Sequence, residues 1–264
     1  MEKLLDEIES YWSTRTEGYS EVNHKELAGT QKNAWLKVLT SQFPDKPKEE
    51  IRILDIGTGP GFFPVILAEA GYDVDAVDYT EGMLEKAKEN AGDLCRNIRF
   101  LRMDAQKLDF EDNTFDVVIS RNLTWNLEHP DVAYREWVRV LKVGGRLLKF
   151  DANWYGYLYE EEQRKAYEND RKNVENNSLD DHYLCTDIER MERIALQVPL
   201  SKISRPQWDV KTLREAGLLG IRTDTEIWKT VWSEEERLNY QSTPMFMVTG
   251  VKPDHFLNLP VAAG

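Results

Sequence analysis

The sequence has little of several residue types, and each shortage excludes a class of protein. Its 264 residues contain two cysteines, Cys95 and Cys185, which are too few for a disulfide framework or a structural zinc site. Basic residues number 34 against 47 acidic ones, and the resulting net charge of −13 argues against a nucleic-acid partner or an anionic membrane surface. The first residues lack the basic flank of a signal peptide, and the longest apolar stretch, residues 62–68, is too short to cross a bilayer. We therefore expect a soluble, cytoplasmic protein without nucleic-acid or membrane partners.

The residues that are present indicate one large domain with additions. Apolar residues recur at helical spacing over the first forty residues, with a predicted turn or hinge at residues 13–23. From residue 51 onward, short apolar strands alternate with helices, which is typical of a parallel sheet covered on both faces. The predicted strands are residues 51–56, 74–77, 98–103, 115–120 and 146–150, and the predicted helices are residues 62–69, 80–90 and 131–141.

This alternation stops after the fifth strand and resumes later. Residues 151–206 contain no clean strand, and a helix, a strand, a loop and a last strand are then predicted at residues 208–216, 221–232, 233–243 and 245–251. The pattern predicts a doubly wound, mostly parallel seven-stranded α/β sheet. We divide the chain into an N-terminal helical cover (1–46), an α/β domain (47–150 and 207–264) and an insertion (151–206).

The most informative motif lies between the first predicted strand and its helix. Residues 53–61 read Ile-Leu-Asp-Ile-Gly-Thr-Gly-Pro-Gly, and glycines at such a turn let a ligand lie directly against the backbone. Asp78 ends the second strand, where a carboxylate can accept hydrogen bonds from both hydroxyls of a ribose. The pattern therefore predicts a nucleoside-containing ligand. Phe62 stands where the dinucleotide fingerprint has its last glycine, which counts against a nicotinamide without removing that alternative.

Five motifs, in order and at the expected intervals, resemble the class I S-adenosylmethionine-dependent methyltransferases, in their small-molecule, methyltransferase type 11-like branch. The motifs are residues 54–61, 76–84, 103–105, 115–122 and 139–145. The resemblance implies a Rossmann-like fold in which residues 151–206 form a substrate lid. It also implies in-line transfer of a methyl group from S-adenosylmethionine to a small molecule, which leaves S-adenosylhomocysteine and requires no metal.

The resemblance assigns the cofactor-binding residues by position. They are Tyr11, Arg15, Asp55, Gly57, Thr58, Gly59, Gly61, Asp78, Tyr79, Met83, Asp104, Ala105, Arg121 and Asn122. The glycine loop would lie under the methionine part, and Asp78 would bind the ribose. Tyr79 and Met83 would sandwich the adenine, and Asp104 would accept a hydrogen bond from the adenine amino group. Tyr11 and Arg15 belong to a segment that resembles a cover over the cofactor.

Four residues are candidates for catalysis: Tyr19, His129, Tyr157 and His182. Tyr19 would lie closest to the sulfonium, or would only pack its helix onto the domain. His129 could act as a base or cap the helix that follows it. Tyr157 belongs to an alternating tyrosine triplet, residues 155–159, that could line a pocket or form an edge strand.

His182 offers a choice between an acceptor pocket and a metal. The spacing of His182, Cys185, Asp187 and Glu189 matches no set of ligands on one helix face, so a place in the acceptor pocket is favoured. The aromatic and acidic insertion suits a small amphipathic or cationic acceptor. Another transfer reaction of S-adenosylmethionine and a non-catalytic regulatory protein remain alternatives, as do a monomer and a homodimer.

Overall fold

Three helices precede the sheet in the computed structural model, which describes residues 4–183 and 186–254. They are α1 (Leu4–Ser13), α2 (Thr16–Ala28) and α3 (Gln31–Thr40). The turn or hinge predicted at residues 13–23 is confined to residues 14–15, because α2 runs through the rest of that segment. The side chains that α2 buries include the polar Ser20, Asn23 and Glu26, so this helix carries no apolar periodicity that the sequence could reveal.

The sheet confirms the predicted fold class. Its strands are β1 (Ile53–Ile56), β2 (Val74–Asp78), β3 (Ile98–Arg102), β4 (Phe115–Arg121), β5 (Leu141–Asp151), β6 (Leu219–Asp224) and β7 (Phe246–Val251). In the described residues they form one sheet in the order β3-β2-β1-β4-β5-β7-β6, parallel except that β7 is antiparallel to both neighbours. The direction of winding reverses between β1 and β4, and ligands of open α/β sheets bind beyond the carboxyl ends of the strands at such a point.

Helices cover both faces of the sheet. The remaining helices are α4 (Phe62–Glu69), α5 (Glu81–Ala91), α6 (Pro130–Val140), α7 (Glu161–Asn176), α8 (Ile188–Ala195), α9 (Gln207–Glu215), α10 (Trp228–Val231) and α11 (Glu234–Asn239). Trp137 and Phe115 lie in one buried apolar layer, and Trp35 and Phe150 lie in the layer on the opposite face. These two layers fix the sheet and therefore the edge at which its carboxyl ends meet. No helix in the described ranges is long and apolar enough to span a membrane.

The insertion and the segment near the C-terminus differ from their sequence predictions in detail. Residues 155–159 form no edge strand, because Gly156–Leu158 is a short 3-10 helix. The strand expected at residues 221–232 ends at Asp224, and the loop expected at residues 233–243 contains α11. A capping box starts α11, since Ser233 Oγ accepts from Glu236 N at 3.2 Å and the Glu236 carboxylate accepts from Ser233 N at 2.8 Å. The acidic residues of this first turn also favour the N-terminus of a helix.

Candidate active site

A first pocket opens at the carboxyl edge of the sheet, beyond β1, β2 and β4. Its volume is about 860 Å³, including the open mouth. Among its lining residues are the predicted cofactor residues Gly57, Gly59, Asp78, Tyr79, Met83, Asp104, Ala105, Arg121 and Asn122, together with the catalytic candidate Tyr19. The structure thus brings together most of the residues that the resemblance assigned to the cofactor.

The glycine loop leaves room for a ligand in a way that no other residue type would. Gly57 and Gly59 have φ angles of +72° and +53°, which side chains rarely tolerate. A Cβ atom on Gly57 would come within 2.7 Å of the Leu123 side chain, and one on Gly59 would lie 3.4 Å from the Tyr19 ring. Both positions therefore favour glycine for conformation, and at Gly57 a side chain would also require Leu123 to move.

Asp78 fixes the loop and faces the pocket. Its Oδ2 accepts from Gly59 N and its Oδ1 accepts from Thr80 N, both at 2.9 Å. Each carboxylate oxygen has a second lone pair, so both can still accept from a ligand hydroxyl. Burial raises the pKa of Asp78 above its usual value, while the two N–H donors stabilise its ionised form.

The far end of the first pocket has the apolar and polar surfaces that suit an adenine. Met83 is buried, and the Tyr79 ring is backed by the Arg102 guanidinium, whose carbon lies 5.2 Å from the ring centroid. Asp104 lines the pocket and uses one oxygen, Oδ1, to accept from the Gln106 backbone N at 2.8 Å. An aromatic ring, a thioether and a carboxylate are groups that a planar, hydrogen-bonding ring system can contact.

Arg121 lines the first pocket and also holds the N-terminal helices through its side chain. Its guanidinium forms a bidentate pair with Glu26 of α2, with N···O distances of 2.7 and 3.0 Å, and lies over the rings of Phe62 and Phe63. Glu26 is 4% exposed, so the pair is shielded from water. This ion pair fastens the N-terminal helices over the carboxyl edge of the sheet. Sequence reasoning missed Glu26, because a charged residue on a polar helix gives no sign of its burial.

A second pocket lies beside the first, between the N-terminal helices, the insertion and α11. Aromatic side chains dominate its lining: Tyr11, Trp12, Tyr19, Trp125, Trp154, Tyr155, Tyr183 and Tyr240. Arg15, Glu21, Lys25, Asp180, Asp181, His182 and Glu236 supply its charged and titratable groups. Rings of this kind bind flat or cationic organic molecules.

The two pockets meet at three residues. Trp12, Tyr19 and Asn122 line both of them. Asn122 has a φ angle of +55°, and its backbone carbonyl accepts from Trp125 Nε1 at 2.9 Å, so the turn after β4 is fixed at the junction. Burial raises the pKa of the Tyr19 hydroxyl, against an opposing effect of the Arg121 guanidinium. Tyr19 therefore presents a neutral hydroxyl between the pockets at ordinary pH.

Several predicted residues lie elsewhere. Tyr11 and Arg15, predicted to cover the cofactor, line the second pocket instead of the first. Asp55, Thr58 and Gly61 lie outside the linings of both pockets. Burial raises the pKa of Asp55 to about 7, although the neighbouring Thr58 and Arg121 oppose that shift. A buried carboxyl of this kind supports the glycine loop from β1.

Two catalytic candidates also lie away from the pocket linings. The His129 side chain is 61% exposed and stands 3.8 Å from the Glu128 carboxylate, at the residue before α6. Tyr157 is buried, stacks on Tyr167 at 4.1 Å between ring centroids, and donates to Glu192 at 2.8 Å. Its partners place Tyr157 in the aromatic packing of the insertion, behind the residues that line the second pocket.

His182 lines the second pocket and is held by two residues that sequence reasoning missed. Its Nε2 lies 2.9 Å from Glu235 Oε1, and its Nδ1 lies 2.9 Å from the Tyr240 hydroxyl. Both partners belong to the segment predicted as a loop. Among residues 4–183 and 186–254, no group of three His, Cys, Asp or Glu side chains could hold a metal ion, and Cys185 of the His182 motif lies outside these residues.

A buried ionic network supports the wall of the second pocket. Asp151 accepts from Trp125 N at 3.3 Å and from Trp154 Nε1 at 3.2 Å, and both tryptophans line that pocket. Arg205 Nη2 lies 3.0 Å from Asp151 and 2.8 Å from Asp209. Lys149 and Thr124 complete this network, and each of the five polar side chains is at most 4% exposed.

Known proteins resemble the chain most clearly over its first α/β half. Residues 54–149 match a family model described as a methyltransferase domain. The chain is 32% identical over 148 residues to a demethylmenaquinone methyltransferase of Renibacterium salmoninarum, an alignment that covers 56% of this chain and 60% of that protein. It is 39% identical over 103 residues to a ubiquinone/menaquinone biosynthesis C-methyltransferase of Ectopseudomonas mendocina, covering 37% and 40%. The match thus spans less than two thirds of each relative.

A solved structure extends the comparison to the whole fold. Phosphoethanolamine N-methyltransferase 2 of Haemonchus contortus superposes with a TM-score of 0.61 at 17% identity, over 96% of this chain and 61% of that one. The resemblance to the class I S-adenosylmethionine-dependent methyltransferases is confirmed, by the methyltransferase-domain match over residues 54–149 and by the shared fold. The first pocket fits this cofactor in its own right, since Gly57 and Gly59 present bare backbone in its lining and Asp78 faces the space beside them.

Proposed function

We propose that this protein binds S-adenosylmethionine in the first pocket and transfers its methyl group to a small molecule in the second. The two pockets share Trp12, Tyr19 and Asn122, and this observation carries the proposal. It places a pocket suited to a nucleoside directly beside a pocket suited to an organic acceptor. When bound, the cofactor supplies a methyl group on a sulfonium, which is an activated leaving group. The chain itself supplies position, orientation and exclusion of water.

The acceptor is a planar, quinone-type ring compound in this proposal. The names of the curated relatives and the ring-rich lining of the second pocket support it. A cationic acceptor has fewer carboxylates to pair with, since two acids of the second pocket already have partners. Asp181 pairs with Arg171 at 2.6 Å, and Glu236 accepts from Gln31 at 2.6 Å.

We also propose that residues 151–206 act as the lid over the acceptor, and that the protein is a cytoplasmic monomer or homodimer.

Calorimetry followed by a turnover assay tests the proposal. We expect S-adenosylmethionine to bind and NAD not to bind. Release of S-adenosylhomocysteine should then depend on a quinone-type acceptor in reduced form. Binding without turnover on any acceptor would favour a regulatory protein, and no binding of S-adenosylmethionine would remove the proposal altogether.

A further inference from the structure

His182 stands in the middle of a chain of three titratable groups. An ionised Glu235 carboxylate only accepts hydrogen bonds, so the His182 Nε2 that lies 2.9 Å from it carries a proton. In a neutral imidazole the other nitrogen, Nδ1, then accepts from the Tyr240 hydroxyl, also 2.9 Å away. The sequence of groups from the pocket outward is therefore phenol, imidazole and carboxylate.

The buried Asn239 holds this chain of groups in place. Its Oδ1 accepts from His182 N at 3.0 Å, and its Nδ2 donates to the Asp180 carbonyl at 3.0 Å and the Glu235 carbonyl at 3.2 Å. One residue at the end of α11 thus joins the insertion to the helix that carries Glu235 and precedes Tyr240. Fixed geometry of this kind is what proton transfer between side chains requires.

The chain of groups also lies where an acceptor would bind. His182 and Tyr240 both line the second pocket, together with the junction residue Tyr19. Burial raises the pKa of Tyr240 well above its usual value, and Tyr19 adds to that shift. Tyr240 therefore stays protonated. It can accept a proton from a bound molecule only if its own proton moves to His182 at the same time.

Building on the proposed function, we propose that Tyr240 and His182 remove the proton of a protic ring acceptor, a phenol or hydroquinone, while Glu235 stabilises the imidazolium. The acceptor O–H bond breaks, and its proton goes to Tyr240 Oη as the Tyr240 proton goes to His182 Nδ1. The electron pair left on the acceptor is the nucleophile for the methyl group, either at oxygen or at a ring carbon conjugated with it, and the electron pair of the broken C–S bond stays on sulfur. After attack by carbon, that carbon loses its ring proton to water and the oxygen takes a proton back, which restores the aromatic ring. Tyr240 is the group that touches the acceptor, and Glu235 is a positioning residue.

Two acceptors of different acidity test this proton transfer through Tyr240 and His182, which we call the relay. 1-Naphthol is un-ionised at neutral pH and needs a base, whereas 2,4-dinitro-1-naphthol is already ionised and needs none. We expect His182→Gln and Tyr240→Phe to lower kcat/KM for 1-naphthol by about 100-fold, a general-base effect, and to change it less than about threefold for the dinitro compound. Glu235→Gln should follow the same pattern, and Glu234→Gln, on the exposed side of the same turn, should change neither value.

The outcomes separate the relay from the proposed function. Equal losses on both acceptors would show that the variants only damage the pocket, and would overturn the relay. A wild-type protein that binds S-adenosylmethionine but methylates neither naphthol would overturn the protic ring acceptor. Calorimetry with S-adenosylmethionine, which should give wild-type affinity for every variant, shows that each is folded; absence of binding by the wild type would instead refute the proposed function.

Discussion

The two pockets are built in opposite ways. The first is formed by residues 56–128 at consecutive strand ends, covered by residues of α1 and α2, and its lining includes two glycines and the two aspartates Asp78 and Asp104. The second draws on α1, α2, the insertion and α11, which lie far apart in the sequence, and its surface is mainly aromatic. The cofactor site is therefore formed largely by a local motif, whereas the acceptor site forms only after the whole chain has folded.

The largest expected effect comes from the network beneath the second pocket. Arg205→Ala would leave Asp151 and Asp209 facing the single cation Lys149 in a buried setting. We expect the free energy of unfolding to fall by about 3–5 kcal/mol, measured by urea denaturation. Arg135→Ala, which removes an exposed pair with Asp131 at 2.9 Å, should cost at most about 0.5 kcal/mol. Similar losses for the two variants would contradict the importance assigned to burial.

The second effect is a pH dependence of the free energy of unfolding, caused by the buried Asp55 before the glycine loop. Burial raises the pKa of Asp55 to about 7, above the value of about 3.9 that it has in an unfolded chain. Between these values the folded protein keeps a proton that the unfolded chain has lost, so the contribution of Asp55 to stability falls as pH rises. Relative to Asp55→Asn, we expect the wild type to lose about 2–4 kcal/mol from pH 4 to above pH 7. Urea unfolding at several pH values measures this difference, and a constant difference would refute it.

A matched pair of glycines tests whether the loop of the first pocket needs space as well as conformation. Gly57 and Gly71 have φ angles of +72° and +89°, so Ala costs each about 1–2 kcal/mol of stability. Only at Gly57 does the new Cβ meet a neighbour, the Leu123 side chain, whereas nothing lies within 4 Å at Gly71. We expect Gly57→Ala to weaken S-adenosylmethionine binding by about 100-fold in calorimetry, since either the Leu123 side chain or the loop must shift. Gly71→Ala should retain wild-type affinity, and equal affinities would show that space in the loop does not matter.

The smallest predicted effect is a loss of one charge in the first pocket. Asp78→Asn keeps the shape of the side chain but weakens the hydrogen bonds from Gly59 N and from a ribose. We expect affinity for S-adenosylmethionine to fall by about 10- to 100-fold, the value of charge-assisted hydrogen bonds. Asp75→Asn on the same strand, where the carboxylate pairs with Arg99 at 2.7 Å outside the pocket, is the control. Equal affinity of the two variants for S-adenosylmethionine would show that Asp78 does not contribute to binding.

The same contrast explains how far the sequence could predict the structure. Strands β1 to β4 and the glycine loop were predictable, because their residues interact with near neighbours in an α/β pattern. Helix α2 and the partners Glu26, Glu235 and Tyr240 were not, because their importance lies in contacts across 50 to 100 residues of sequence, such as that of Glu26 with Arg121. His129 shows the converse: a residue type suited to catalysis says nothing about whether its side chain faces the site.

A crystal structure with S-adenosylhomocysteine would show whether the two pockets meet at the point of methyl transfer. We expect the ribose at Asp78, the adenine between Tyr79 and Met83, and the sulfur at Tyr19 and Asn122, facing the second pocket. A ligand bound in the second pocket, or a sulfur turned away from Tyr19, would contradict this expectation.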